Sequence, residues 1–374
     1  MLIAKDTPKR LCHSTTQEED MNIETTCSTA TELPMRDGKF ANSEVVTKTT
    51  MRDFLTISWA YLTADREEAE PKKPIPVQSI TTEQLNDESE DVVYRLGHST
   101  VLMKLDGQWI LTDPVFSDRA SPVQWMGPKR FHDTPISLSE LPFIDVVLIS
   151  HDHYDHLDKA AVKLLADKVG RFLVPLEVGK LMVKWGLPQE KISEFGWWQS
   201  ATVGETEFVF TPTQHFSGRG LNDRNTTLWG SWVIRGQDKS IFFSGDSGYF
   251  GGFKQIGDRF GPFDLTLVET GAYSSLWSEV HMFPRESLQA HLDLKGKVML
   301  PIHNSTFDLS LHRWYEPLEQ VTKLARALNV TVTAPMIGER MAIAEPAPLE
   351  KWWLSTVNES EPTAATEPCL NTSN

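Results

Sequence analysis

The stretch DVVLISHDHYDHLD, residues 145–158, runs from an apolar segment directly into three histidines and three aspartates within the last eight positions. Its first half is short, rich in β-branched residues and bounded by polar groups, the pattern of a buried strand. His151 and His153 are two residues apart, a spacing that does not share a helical face. The polar half therefore reads as a loop. Loops at the ends of rigid elements are where ligating and catalytic groups sit.

The same pattern recurs along the chain. QWILTDP closes on Asp113, FVFTPTQH on His215, SIFFSGDSG near Asp246 and VMLPIH on His303. Helical periodicity intervenes at DKAAVKLLADKV (158–169), PLEVGKLMVKWG (175–186), PRESLQAHLDL (284–294) and EPLEQVTKLARAL (316–328). Buried strands flanked by helices, with His or Asp at one end of several strands, predict an α/β fold whose ligating groups share one edge.

Composition limits what that edge does. The 374 residues are 40% hydrophobic and include twelve tryptophans, enough for one large core or two smaller ones. A formal charge of −15 argues against a general nucleic-acid binder, because phosphate binding is driven by lysines and arginines, while small anions can still be held locally. Cys12, Cys27 and Cys369 all lie in polar terminal stretches, so neither a disulfide framework nor a thiolate metal site supports the core. A reducing, intracellular compartment fits this usage. The start MLIAKDTPKR lacks a secretory apolar run, and no apolar run approaches the ~20 residues that span a bilayer.

Three regions are expected: a disordered polar segment over 1–50, one folded domain over 51–354, and a polar tail over 355–374. FLTISWAYL (54–62) is either a core or interface segment or a shallow membrane contact.

Imidazoles and carboxylates without thiolate suit zinc, and also Mn2+ or Fe2+. His151, His153 and His215 supply three nitrogens, Asp155, His156 and His303 form a second set, and Asp246 is placed to bridge. Seven ligands are too many for one zinc. Two ions ~3.5–4 Å apart sharing a carboxylate would use them all.

HDHYDH resembles the H-x-H-x-D-H signature of the metallo-β-lactamase superfamily. That resemblance implies an αββα sandwich with the metal site at one edge of the strands. Asp113 matches the superfamily's first-motif aspartate, which orients the ligand loop. β-Lactamases of this fold usually need a cysteine ligand, and none exists between Cys27 and Cys369, which argues against β-lactam hydrolysis. The phrases HSTVLM, LTDPVFSDRASPVQWMGPKRF, ISHDHYDHLD, LWGSW, GDSGY, IGDRFGPFDL, GAY and IHNSTFDL are similar to the N-acyl-phosphatidylethanolamine-hydrolysing phospholipase D family over about residues 90–315. QHFSGRGLNDRN and GAYSSLWSEVHMF depart from the animal enzymes.

The resemblance implies two Zn2+ and hydrolysis of an N-acylphosphatidylethanolamine-like lipid to N-acylethanolamine and phosphatidic acid. Asp155, Asp246 and His281 would be the catalytic groups: Asp155 a ligand that also touches the attacking water, Asp246 the bridge, His281 a phosphate contact or leaving-group acid. His291 falls where the family has a histidine, and is expected behind the ligands. The implied partner is a phospholipid, met by peripheral contact with a membrane through FLTISWAYL and the loops of Trp125, Trp197, Trp198, Trp229 and Trp277. Lys129, Arg130, Arg219 and Arg224 are candidate phosphate contacts. The oligomeric state stays open. A lactonase, thioesterase or small cyclic-phosphate hydrolase is the alternative on the same site, and a metal-binding scaffold is the non-enzymatic one.

Overall fold

The computed structural model describes residues 23–26, 33–44, 51–343, 345–346 and 348–357. The described residues begin with β1 (Ile23–Thr26), a small hairpin of β2 (Met35–Arg36) and β3 (Lys39–Phe40), then α1 (Met51–Thr63) and α2 (Thr82–Asp87). A first sheet follows from β4 (Val92–Gly97), β5 (Thr100–Leu105), β6 (Gln108–Thr112), β7 (Ile144–Leu148), β8 (Val169–Pro175) and β9 (Ile192–Phe195), with α3 (Lys159–Leu165) and α4 (Val178–Lys184) as crossovers. The second sheet takes β10 (Ser200–Val203), β11 (Thr206–Thr211), β12 (Ser231–Arg235), β13 (Ser240–Phe243), β14 (Phe263–Glu269) and β15 (Gly296–Ile302). Here α5 (Gly252–Phe260) and α6 (Pro284–Asp293) are the crossovers, before α7 (Glu316–Leu328) and β16 (Arg340–Ala342).

The strand orders are β16-β4-β5-β6-β7-β8-β9 and β1-β10-β11-β12-β13-β14-β15. Pairing is antiparallel through β4–β5–β6 and β10–β13, and parallel through β6–β9 and β13–β15. Residues alternate between faces along each strand. Val146, Leu148, Phe208, Phe210, Phe243, Leu265 and Leu267 fill the space between the sheets, while Val147 packs under α3 and α4, and Val233, Phe242 and Val268 pack under α5 and α6. The result is the expected αββα sandwich. The carboxyl ends of the parallel strands open on one edge, where ligands of α/β folds sit.

Core packing reaches into that edge. Trp232 is fully buried, and its Nε1 donates to the carbonyl of Ile149 (2.9 Å), just past the end of β7. Truncating such a side chain typically costs about 3–5 kcal/mol. The loop beginning at His151 is thus tied to the buried layer between the sheets.

Local structure departs from the helical patterns where backbone chemistry intervenes. The 158–169 pattern yields α3, whose first amides (Ala160 and Ala161) are capped by Asp158, followed by a 3-10 turn at 166–168. The 175–186 pattern yields only α4, because Pro175 still belongs to β8 and Glu177 adopts φ +73°. The unforeseen α5 contains Gly252 and Gly257, poor helix formers. A Cβ at Gly257 would lie 2.0 Å from the Asp293 carbonyl oxygen, so close contact with α6 requires glycine there.

The expected disordered segment does not extend over 33–44. Phe40 joins the central core. Asn42 donates to the His215 carbonyl (2.8 Å) and accepts from the His215 amide (3.0 Å) and Trp229 Nε1 (3.0 Å). The folded region also runs past 354, since Trp353 and Thr356 of a 3-10 turn are buried. Residues 23–26 of the same segment pair with β10 as β1, and the rest of the two polar termini lies outside the described residues.

Candidate metal centre

Each ligating side chain sits just beyond a strand. Asp113 follows β6, His151–His156 follow β7, His215 follows β11, Asp246 follows β13 and His303 follows β15. Gly245, at φ +56°, lets the loop after β13 pass the β7 loop: a Cβ there would lie 2.5 Å from Ser150 Cβ. His98, Asp113 and His303 hold φ of +42°, +33° and +63°. Left-handed backbone costs non-glycine residues about 1–2 kcal/mol each, and such conformations cluster at functional sites.

Two four-membered donor sets meet here. His151, His153, His215 and Asp246 form one, and His98, Asp155, His156 and His303 the other; within each, the candidate ligand atoms lie within 4.8 Å of one another. Asp246 faces both. Its oxygens lie 3.7 and 3.8 Å from Nε2 of His215 and His151, and 3.2 and 3.1 Å from Nε2 of His156 and His303. Asp155 Oδ2 lies 3.0 Å from His98 Nε2 and 3.3 Å from His303 Nε2.

The hydrogen bonds behind the rings show what the front atoms need. His215 Nδ1 donates to the Val280 carbonyl (3.0 Å), and His156 Nδ1 donates to Asp113 (2.7 Å). Ser150 Oγ donates to Asp113 (2.6 Å) and so accepts from His151 Nδ1 (2.9 Å). In neutral rings these bonds leave Nε2 of all three as lone pairs aimed inward. His151 Nε2 then faces His153 Nδ1 at 2.8 Å, and His153 Nδ1 faces His215 Nε2 at 3.3 Å. Buried His156 Nε2 and Asp246 Oδ1 lack hydrogen-bond partners. Converging lone pairs and carboxylates repel unless a cation stands between them, so the donor set fits divalent metal ions.

Titration behaviour agrees. Burial, followed by the neighbouring histidines, holds His151 well below its ordinary range, and burial does the same for His215. Burial would also lower His156 and His303, yet Asp246 and Asp155 override it, pushing His156 well above its range and His303 up to about 10. Asp155, despite burial, is held well below the carboxylate range by His156. Positive charge is strongly favoured at this point.

Asp113 is fully buried and takes Ser150 N (2.7 Å), Ser150 Oγ and His156 Nδ1, so it orients His156 directly and His151 through Ser150 Oγ. Asp113→Asn should weaken metal affinity by ~10 to 100-fold, as losses behind a ligand do. Chelator competition measures this, and unchanged affinity would remove Asp113 from ligand orientation.

The seven sequence-predicted ligands are thus brought together, and His281 joins them: its ring lies 5.1 Å from His215 and 5.4 Å from His303. His291 is not behind the ligands. It is buried on α6, where Nδ1 contacts Thr266 Oγ1 (2.7 Å) on the helix-covered face of β14, and burial lowers its pKa to about 4. Two further residues take part in the site. His98 lies in the β4–β5 turn against Asp155, and Glu269 at the end of β14 pairs with His281. The signal for His98 was its position in HSTVLM; nothing local marked Glu269.

The other candidates divide. Trp197, Trp229 and Trp232 are core, and Trp125 is exposed. Arg219 stacks on Tyr154 (3.9 Å) and donates to the Asp152 and Leu157 carbonyls, and Arg130 donates to the Val115 and Ser117 carbonyls, so both brace loops. Arg224 lies over Phe216, which packs on His153 and His215.

Comparison with known proteins places this geometry. The family profile of the beta-lactamase superfamily domain matches residues 108–304. The Mycobacterium tuberculosis protein Rv0906 is 44% identical over 323 residues, covering 85% of this chain and 86% of its own. The N-acyl-phosphatidylethanolamine-hydrolyzing phospholipase D 1 of Caenorhabditis elegans is 36% identical over 266 residues, covering 68% and 75%. Among solved structures, the metallo hydrolase Igni18 of Ignicoccus hospitalis aligns with TM-score 0.51 at 20% identity, covering 68% of this chain and 98% of that one. The diiron β-hydroxylase CmlA of Streptomyces venezuelae aligns at 0.53 and 19%, covering 68% and 54%. At these identities the structural likeness speaks to the fold alone. Strand-end ligands, donor chemistry and family match converge: the chain belongs to the metallo-β-lactamase superfamily and is a metal-dependent hydrolase.

Proposed function

We propose that the chain is a phosphodiesterase of phospholipase D type that binds two zinc ions and hydrolyses N-acylphosphatidylethanolamine-like lipids. The observation that carries the reading is the twin donor set sharing Asp246, in a chain 36% identical to the nematode phospholipase D. His151, His153 and His215 would hold one ion, Asp155, His156 and His303 the other, and Asp246 both. His98, the fourth member of the second set, faces Asp155 Oδ2 and would orient it. When bound, the ions supply Lewis acidity, acidifying a water and neutralising phosphoryl charge. The remaining work falls to the protein: Asp155 orients the attacking water, and His281 protonates the leaving oxygen.

A lipid must also reach this edge. Among the described residues no helix is long and apolar enough to cross a membrane. Instead, α1 exposes an apolar stripe, Leu55, Trp59 and Leu62 being 63%, 68% and 81% accessible. Its Tyr61 stacks on Trp277 (6.2 Å) in the loop that carries His281, so the stripe borders the site. Trp125 and Leu221, 75% and 100% accessible, extend from other site loops. We assign this rim to shallow insertion into a phospholipid surface. With a chain charge of −15, docking depends on apolar contact more than on attraction to anionic lipid.

Glutamate at Leu55 and Trp59 should lower turnover of vesicle-borne lipid at least tenfold more than turnover of a soluble short-chain phosphodiester. Equal losses would assign the stripe to the fold, and no loss would remove it from lipid capture. The reaction itself is tested by mass spectrometry of products from a panel of phospholipid vesicles. N-Acylethanolamine with phosphatidic acid is expected. Turnover of lactones or thioesters without any phosphodiester would replace the phospholipase reading by the alternative hydrolases.

A further inference from the structure

The site contains a buried carboxylate that neither donor set uses. Glu269 ends β14, is fully buried, and belongs to none of the clusters able to hold an ion. One of its oxygens accepts the Ser247 amide (2.6 Å) and the other contacts His281 Nδ1. Its own backbone is fixed from both sides, with its amide donating to Ser244 Oγ (2.9 Å) and its carbonyl accepting from Ser287 Oγ (2.7 Å). His281 is its sole ion-pair partner among the described residues. An unpaired buried carboxylate is costly. The His281 imidazole N–H, together with the Ser247 amide, offsets that cost here.

The consequence falls on the other ring nitrogen. With Nδ1–H committed to Glu269, His281 is held by its back edge, and a ligand-capable atom of its ring lies within 4.8 Å of those of Asp246 and His303. The arrangement parallels the carboxylate of a hydrolytic triad, which fixes the tautomer and orientation of an imidazole without itself reacting.

We infer that Glu269 is a positioning residue that holds His281 as the proton donor to the leaving oxygen, and that the leaving group is therefore an unactivated aliphatic alcohol. This inference rests on the phosphodiesterase reading above. In the step, the bond from the water oxygen to phosphorus forms and the bond from phosphorus to the leaving oxygen breaks. Paired with the Glu269 carboxylate, His281 acts as an imidazolium: its Nε2 proton passes to that oxygen, leaving the neutral imidazole, and the proton lost by the attacking water restores the imidazolium. A nitrophenolate would leave without that proton; an alkoxide would not.

The test is a leaving-group series: methyl aryl phosphates from 4-nitrophenyl to phenyl, with wild type, Glu269→Ala, Glu269→Gln and His281→Ala, each at verified metal content. Wild type should depend weakly on leaving-group acidity. Glu269→Ala and His281→Ala should lose ~100-fold on the phenyl ester, the scale of general acid catalysis, and less than ~5-fold on the nitrophenyl ester. Glu269→Gln, which keeps an acceptor for Nδ1–H, should fall between. Losses that are equal across the series would make Glu269 merely structural and overturn the inference. Independently of turnover, proton NMR of the wild type should show a protected, far-downfield imidazole N–H that disappears in Glu269→Ala and His281→Ala. Its absence from wild type overturns the dyad. Its presence in a protein that cleaves no diester supports the dyad while refuting the phosphodiesterase reading.

Discussion

Asp246→Asn should cut turnover by ~10³ to 10⁴-fold, about 4–5.5 kcal/mol of transition-state stabilisation, with the fold intact. The carboxylate is buried and faces Nε2 of four imidazoles, two from each donor set, at 3.1–3.8 Å. Asparagine keeps the shape, so packing is preserved. It removes the charge both sets share and replaces one acceptor oxygen with an N–H donor, which cannot face a cation. Circular dichroism matching wild type, with kcat/KM reduced by the stated factor, is the expected result. Retention of more than about a tenth of the activity would mean a loss of less than ~1.4 kcal/mol, too little for a shared ligand.

The sequence exposes this residue because Asp246 follows a short run of large apolar side chains, and a strand end is a predictable place. The same logic finds Asp113, His151, His215 and His303, each within a few residues of a buried strand. It fails where position depends on tertiary approach. His98 sits in a two-residue turn, and its partner Asp155 is 57 positions away. Glu269 reads as an ordinary strand terminus, and only the fold of the 270–283 loop brings His281 back onto it. Asn42 lies in a polar stretch that composition assigns to disorder, yet its amide satisfies both backbone groups of His215. His291 shows the opposite error: a histidine on an amphipathic helix five residues before a strand leading to a ligand looks relevant, but it faces Thr266 and the helix layer. Composition also hides α5, where packing against α6 demands the glycine that helix propensity penalises.

Removal of the metal should abolish activity and lower the thermal midpoint by ~15 °C or slightly more. The saturated protein should carry two equivalents of divalent ion by elemental analysis; one equivalent with full activity would reduce the centre to a single ion. An ion present at a thousand times its dissociation constant stabilises the folded state by about 4 kcal/mol, so two contribute ~8 kcal/mol. For a domain of this size each kcal/mol is worth ~2 °C. The deficit should depend on pH with a definite sign. In the metal-free protein, Asp246 and Asp155 overcome burial to raise His303 to about 10, so protons stand in for the missing charge. A raised folded-state pKa gives stability that is complete below the unfolded value near 6.5 and lost as pH climbs through the folded one. The metal-free protein should therefore weaken between pH ~6.5 and ~10, while the loaded protein, whose ligands are already deprotonated by the ion, does not lose this contribution. The gap between their melting temperatures should widen across that window. A constant gap would show that the carboxylates of the empty centre are neutralised by groups other than His156 and His303.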